Sequence, residues 1–257
     1  MKKLSKIISL IIVAAMCVLL ASCGASPKSV EDIKSSGKLV IATSPDFPPF
    51  ESLEGGEVVG IEIEIAKMLA KELGVELVIE QMDFDSVLPG IQAGKYDLGV
   101  SGITVTDGRK ENADFTNPYF MAAQVIVVKE GSDIACKADL KDKKISVQTG
   151  TTAEDYCIEN EYDILSFQSN NDACSALTDK VDAWVVDNEV ALAMTAEVDG
   201  LVVLEEHMTE EPYAFALIKG SDELAAELNK YIDAWVKDGT IKAIFDKYET
   251  VYVAPSK

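Results

Sequence analysis

Apolar positions along this chain come in short blocks separated by turn residues, and the period inside the blocks changes in a regular order. Lys38-Leu-Val-Ile-Ala-Thr43 is a continuous apolar run of strand length that delivers the chain to Ser44–Glu51, a loop stiffened by three prolines. Glu57–Gly60 reads as a hairpin arm. From Gly60 the alternation Ile61-Glu-Ile-Glu-Ile65 passes into helical spacing, with Ile65, Met68, Leu69 and Leu73 on one stripe and Gly74 as the stop. The pattern then predicts a strand over Val75–Glu80, a helix over Asp85–Ala93 and a strand over Asp97–Val100. After Phe115-Thr-Asn-Pro-Tyr-Phe120 the order restarts. Strands are predicted at Ala123–Lys129, Lys144–Val147, Ala183–Val186, Leu201–Leu204 and Tyr213–Ile218, and helices after Gln148-Thr-Gly-Thr-Thr152, over Asp172–Thr178, Glu223–Asp238 and Thr240–Lys247. Strands and helices alternating at these lengths imply parallel α/β sheets, in which ligands sit beyond the carboxyl ends of the strands. Thr43–Phe47, Phe84 and Ser101–Arg109 all emerge on that rim.

Charge changes the picture at one point above all. Arg109 is the single arginine of a chain with 23 basic residues, and it closes the run Ser101-Gly-Ile-Thr-Val-Thr-Asp-Gly-Arg109 after an apolar strand. A guanidinium grips a carboxylate with two parallel hydrogen bonds where an ammonium acts as a point charge. Thr104 adds a hydroxyl, and Gly102 lets backbone approach a ligand. The run reads either as a carboxylate clamp or as a strand-to-helix loop whose arginine makes a surface ion pair. Gln148–Thr152 opens a helix and offers free N–H groups to an anion, or simply caps itself through Thr151 or Thr152. Asp187, at the carboxyl end of a predicted strand, suits an ammonium. Phe47, in the rigid loop, either plugs the core or presents a ring to a ligand. Glu62 and Glu64, at a helix start, read as partners of the helix dipole rather than as catalytic carboxylates.

The amino terminus has its own signature. Met1-Lys-Lys-Leu-Ser-Lys6 and the apolar run Ile7–Ala21 describe a secretory signal, too short for a comfortable membrane span, and Leu20-Ala21-Ser22-Cys23 resembles the bacterial lipoprotein signal that leaves Cys23 as a lipidated N-terminus. Residues 23–37 follow as a tether that includes a short helix at Val30–Ser36. With 44 acidic residues and a formal net charge of −21, made more negative when Lys2, Lys3 and Lys6 leave with the signal, the chain lacks the basic face nucleic acid requires. Cys136, Cys157 and Cys174 lack metal-ligand spacing, and either three free thiols or one bridge, Cys157 to Cys174, would fit.

Five segments together carry a family likeness: Lys38–Thr43 with Pro49-Phe50, Gly60-Ile-Glu-Ile-Glu-Ile65, Asp97–Arg109, Asp114-Phe-Thr-Asn-Pro-Tyr119 and Val147-Gln-Thr-Gly-Thr-Thr152. From about Lys38 to its end the chain resembles the polar amino-acid-binding proteins of bacterial ABC importers, solute-binding family 3. The resemblance implies a type II periplasmic-binding-protein-like α/β fold of two lobes, each a sheet flanked by helices, with lobe 1 from 38–120 plus 213–257, lobe 2 from 125–208, and hinge strands at 121–124 and 209–212. It implies a monomeric receptor tethered outside the cell membrane that passes an amino acid to ABC permease subunits, with no cofactor or metal. Arg109, Thr104 and the Thr152 backbone would hold the α-carboxylate, Asp187 and the Gly102 carbonyl the α-ammonium. Phe47 and Phe84 would sandwich the side chain, with Gln148 lining the pocket. Ser44 stands where binders of cationic amino acids tend to carry aspartate, which weakens a cationic assignment, and Val186 is apolar where some glutamine binders are polar; a neutral polar ligand is favoured, while Asp46, Glu51 and Asp85 keep a cationic one open. Dehydratases resembling this fold and ligand-sensing domains are the alternatives; the single histidine, His207, is expected outside the pocket.

Overall fold

The computed structural model describes residues 26–196 and 198–255. The proposed signal over residues 1–22 and the lipidation site Cys23 lie outside the described residues. Ser29 caps helix α1 (Val30–Ser36), whose Val30 and Ile33 are buried, so this part of the 23–37 stretch is docked on the first lobe. Strand β1 (Lys38–Thr43) follows with Leu39 and Ile41 buried, then the hairpin strands β2 (Asp46–Phe47), β3 (Glu51–Glu54) and β4 (Glu57–Val59). Helix α2 (Ile61–Leu73) buries Ile61, Ile65, Leu69 and Leu73 and ends on Gly74 at φ 74°. Strand β5 (Glu76–Gln81), helix α3 (Phe84–Gln92), strand β6 (Leu98–Gly99), helix α4 (Asp107–Asn112) and strand β7 (Ala113–Phe115) complete the first pass. Arg109 therefore lies in a short helix rather than a loop, capped by Thr106, whose Oγ1 accepts from the Arg109 amide at 3.2 Å.

Strand β8 (Phe120–Ala122) carries the chain across to β9 (Gln124–Lys129), β10 (Lys144–Gln148), helix α5 (Thr152–Glu159), β11 (Asp163–Phe167), helix α6 (Asn170–Ser175), β12 (Ala183–Asp187), helix α7 (Asn188–Thr195) and β13 (Leu201–Val203). Strand β14 (Glu211–Tyr213) returns to β15 (Ala216–Ile218), and helices α8 (Asp222–Asp238) and α9 (Thr240–Lys247) finish the first lobe. The block expected as one strand over Tyr213–Ile218 is thus two, because Tyr213 belongs to the crossing ribbon and Ala216 to the sheet.

Two five-stranded sheets result, ordered β5-β1-β6-β15-β7 and β11-β10-β12-β9-β13. They are mixed rather than wholly parallel. The β1–β5, β1–β6, β10–β11 and β10–β12 pairs are parallel, whereas β15 and β9, the strands that return from or enter a crossing, run antiparallel to their neighbours. The crossing strands β8 and β14 pair with each other, Tyr213 opposite Phe120 and Glu211 opposite Ala122. Two lobes joined by two strands leave their sheet ends facing one another across a cleft.

Candidate functional site

The carboxyl ends of β1, β5, β6, β10 and β12 bring Phe47, Phe84, Gly102, Thr104, Arg109, Gln148, Thr151, Thr152 and Asp187 around one narrow slot. Eight of the nine were foreseen as ligand-facing residues; Thr151 adds itself as the N-cap of α5, its Oγ1 accepting from the Glu154 amide at 3.2 Å. Ser44 is not among them. It is buried, its amide donating to Ser101 Oγ at 3.0 Å and its hydroxyl to Asp46 Oδ1 at 2.9 Å. Wider depressions exist elsewhere, one holding Met121, Asn188 and His207 and another lined by Lys110, Asp114 and Lys219, but they are open, and in the second Lys219 and Asp114 already satisfy each other at 2.9 Å.

Arg109 reaches both lobes. Its Nη1 donates to the Thr104 carbonyl at 2.9 Å and its Nη2 to the Gly150 carbonyl at 3.1 Å, while the guanidinium sits 5.6 Å from the Phe84 ring centroid. Among the described residues no carboxylate lies within 4 Å of it. Burial lowers its pKa, against the opposing pull of Asp155, Glu211 and Asp187. The surface ion pair that was the alternative reading is not formed among the described residues.

Asp187 is its counterpart. Only 7% exposed, it accepts one bond, from Gln124 Nε2 at 3.0 Å, and its Oδ1 has no partner. Burial, and after it the nearby charge of Glu211, push its pKa up to about 7. Leaving a buried carboxylate or guanidinium unpaired costs several kcal/mol, whereas an exposed ion pair is worth about 1 kcal/mol or less. An unpaired cation and an unpaired anion lining one slot therefore make a site for a ligand carrying both charges.

Backbone geometry explains the glycine at the slot's floor. Gly102 adopts φ +53°, and a Cβ there would lie 2.4 Å from Phe47 Cε1, so neither conformation nor space admits a side chain. Its amide donates to Glu62 Oε2 at 2.8 Å, and the Tyr119 hydroxyl donates to Glu62 Oε1. Glu62 is wholly buried and holds the ligand-facing loop from behind, a task the reading of it as a dipole partner did not include. Glu64, two residues on and so on the opposite face of the helix, turns out to Lys247 and Tyr248.

Three site groups escaped the sequence reading. Gln124 donates to both Asp187 and Thr152, Glu211 accepts from Thr152 Oγ1 at 2.9 Å, and Tyr213 is buried beside Phe47 with ring centroids 6.4 Å apart. The one visible signal was Gln124, a polar head on an otherwise apolar strand. The cysteines Cys136, Cys157 and Cys174 are free, and burial lifts the Cys157 thiol to about 12.

The sequence model for bacterial extracellular solute-binding proteins, family 3, matches residues 39–251. The chain belongs to this family. Among curated relatives of this solute-binding protein, the arginine-binding extracellular protein ArtP of Bacillus subtilis (strain 168) is 32% identical, covering 96% of this chain and 99% of its own. Among solved structures, the P235GK mutant of ArgBP from T. maritima superposes with a TM-score of 0.83 at 35% identity, covering 86% of this chain and 99% of its own. An ancestral arginine-binding protein bound to glutamine superposes with a TM-score of 0.78 at 40% identity, over 82% and 97%. These relatives are amino-acid-binding proteins, and the two-lobed architecture implied by the motifs is the one observed. No helix of the described residues is long and apolar enough to cross a membrane.

Proposed function

We propose that this solute-binding protein is a monomeric receptor, lipid-anchored through Cys23 outside the cell membrane, that closes on an amino acid and presents it to the permease subunits of an ABC importer without turning it over. Residues 38–120 with 213–257 and residues 125–208 act as the two jaws, pivoting at 121–124 and 209–212. One observation carries the reading: Arg109 and Asp187 are left without ionic partners in the same slot. An amino acid's α-carboxylate supplies the first with its missing anion and its α-ammonium supplies the second with its missing cation.

Arg109, Thr104 and the first amide of α5 at Thr152 grip the carboxylate. Asp187 and the Gly102 carbonyl take the ammonium. Phe47 and Phe84 flank the side chain, Gln148 meets its far end, and Ser44 acts through Asp46 rather than by contact. The binding-protein relatives favour capture over catalysis, and His207 lines a separate depression. The decisive test is a thermal-melting screen against the twenty amino acids. A ligand at 100 times its dissociation constant adds about 2.7 kcal/mol to the folded state, which is about 5–10 °C for a protein of this size. At least one amino acid is expected to give such a shift; a flat screen would remove the proposal.

A further inference from the structure

Gln148 has its amide orientation forced by three neighbours. Its Nε2 donates to Asp46 Oδ2 at 3.2 Å and to the Gln168 carbonyl at 3.0 Å, and its Oε1 accepts from Asn170 Nδ2 at 2.7 Å. A backbone carbonyl can only accept, so the nitrogen must face Gln168. Asp46 itself gathers three donors, the Asn170 amide at 2.7 Å, Ser44 Oγ at 2.9 Å and Gln148 Nε2, and no acceptor, as an ionised carboxylate does. Both N–H bonds of Gln148 are therefore spent. What it has left to offer the slot it lines is one lone pair on Oε1.

Resting on the amino-acid receptor reading, we propose that Asp46 is a specificity-determining residue: with the Gln168 carbonyl it holds the Gln148 amide so that this wall of the slot is acceptor-only, and it sets a negative charge behind that wall, so the site selects amino acids whose side chain ends in an N–H donor and rejects those ending in a carboxylate. A carboxylate ligand at Gln148 meets an oxygen lone pair with the Asp46 charge directly behind it, and no donor to replace its hydration. An amide, imidazole, ammonium or guanidinium meets an acceptor. The discrimination is carried largely by repulsion, which is how a small site separates near-isosteres.

Asp46→Asn removes the charge and leaves the shape. The Asn170 backbone N–H can only donate, so the new side chain keeps its oxygen towards Asn170 and Gln148, and the Gln148 amide stays oriented by the Gln168 carbonyl. The test titrates the purified protein with two near-isosteric pairs, L-glutamine against L-glutamate and L-asparagine against L-aspartate, by calorimetry. In the wild type the amide member of at least one pair should bind tenfold or more tighter, and Asp46→Asn and Gln148→Leu should each bring that ratio to within about threefold. A purely structural loss would weaken both members of a pair together and leave the ratio standing. Equal or preferential wild-type binding of the carboxylate, or an unchanged ratio in Asp46→Asn, would overturn the proposal. So would a ratio that narrows in Asp46→Asn but survives in Gln148→Leu, since the charge would then act without the amide; Gln148→Leu alone decides the matter should Asp46→Asn not fold. If no amino acid of any kind binds the wild type, the receptor reading itself fails and takes this one with it.

Discussion

Asp187 senses pH because of where its neighbours leave it. Its pKa, raised from 3.8 to about 7 chiefly by burial, means that the closed protein without ligand holds a proton which the unfolded chain has already lost. The folded state then binds more protons than the unfolded one, so the stability of the unliganded form declines as pH rises from about 4 through 7 and levels off above. Ligand affinity runs the other way. An α-ammonium needs the ionised carboxylate, so binding below pH 7 must first release that proton. Affinity should fall by roughly tenfold per pH unit below 7 and be flat above it. Calorimetric titrations between pH 5 and 8.5 would show this slope, and Asp187→Asn should bind weakly with the slope abolished. A wild-type affinity that is level from pH 5 to 8.5 would mean that this carboxylate does not meet the ligand's ammonium.

At the scale of elements, β3 and α2 place two carboxyl groups together behind the ligand-facing loop. Glu51 and Glu62 are both wholly buried; Glu62 has the Gly102 amide and the Tyr119 hydroxyl as donors, and neither oxygen of Glu51 has any. Burial, and then the charge of Glu62, lift Glu51 well above the usual carboxylate range, so the pair keeps its proton on Glu51. A raised folded value means stability is lost as pH climbs through it, and Glu51→Gln, which keeps shape and one N–H donor, removes that loss. Its melting temperature relative to wild type should therefore improve steadily from pH 5 to pH 9; a constant deficit across that range would show that no proton resides there. This pair also marks how far the sequence could be read. The helix over α2 was legible from Ile65, Met68, Leu69 and Leu73, and α9 from its apolar spacing to the residue, because both signals are local. The helical phase that turns Glu62 inward and Glu64 outward depends on which residue starts the helix, and Gly60-Ile-Glu-Ile-Glu alternates in a way that hides it. Gln124, Glu211 and Tyr213 were illegible for a different reason. Gln124 meets Asp187 from 63 residues away, Glu211 meets Thr152 from 59, and Tyr213 packs on Phe47 from the far end of the chain, and no periodicity in a short window carries such pairings. Arg109, Gly102 and Asp187 could be picked out because each was an unusual residue type at a strand's end.

Across the whole molecule, closure depends on contacts that bridge the cleft, and Arg109 makes one of them from the ligand site itself. One arm of its fork holds the Thr104 carbonyl in the first lobe and the other the Gly150 carbonyl in the second, while Asp46 ties the first lobe to Gln148 and Asn170 of the second. The same guanidinium that would grip the ligand's carboxylate thus also draws the jaws together, so ligand binding and hinge closure share a residue. Lysine keeps the charge but concentrates it on a single nitrogen, which cannot span two carbonyls and a carboxylate in one plane. Arg109→Lys should therefore lose tenfold or more in affinity, at least about 1.4 kcal/mol, and should also close less readily. Small-angle scattering separates the two effects: the wild type should contract on adding its amino acid, and the variant, titrated to the same fractional saturation, should contract less. Unchanged affinity would remove Arg109 from the ligand's first contact. Lowered affinity with full contraction at saturation would leave it as a ligand clamp and assign closure to Asp46 and the strands that cross between the lobes.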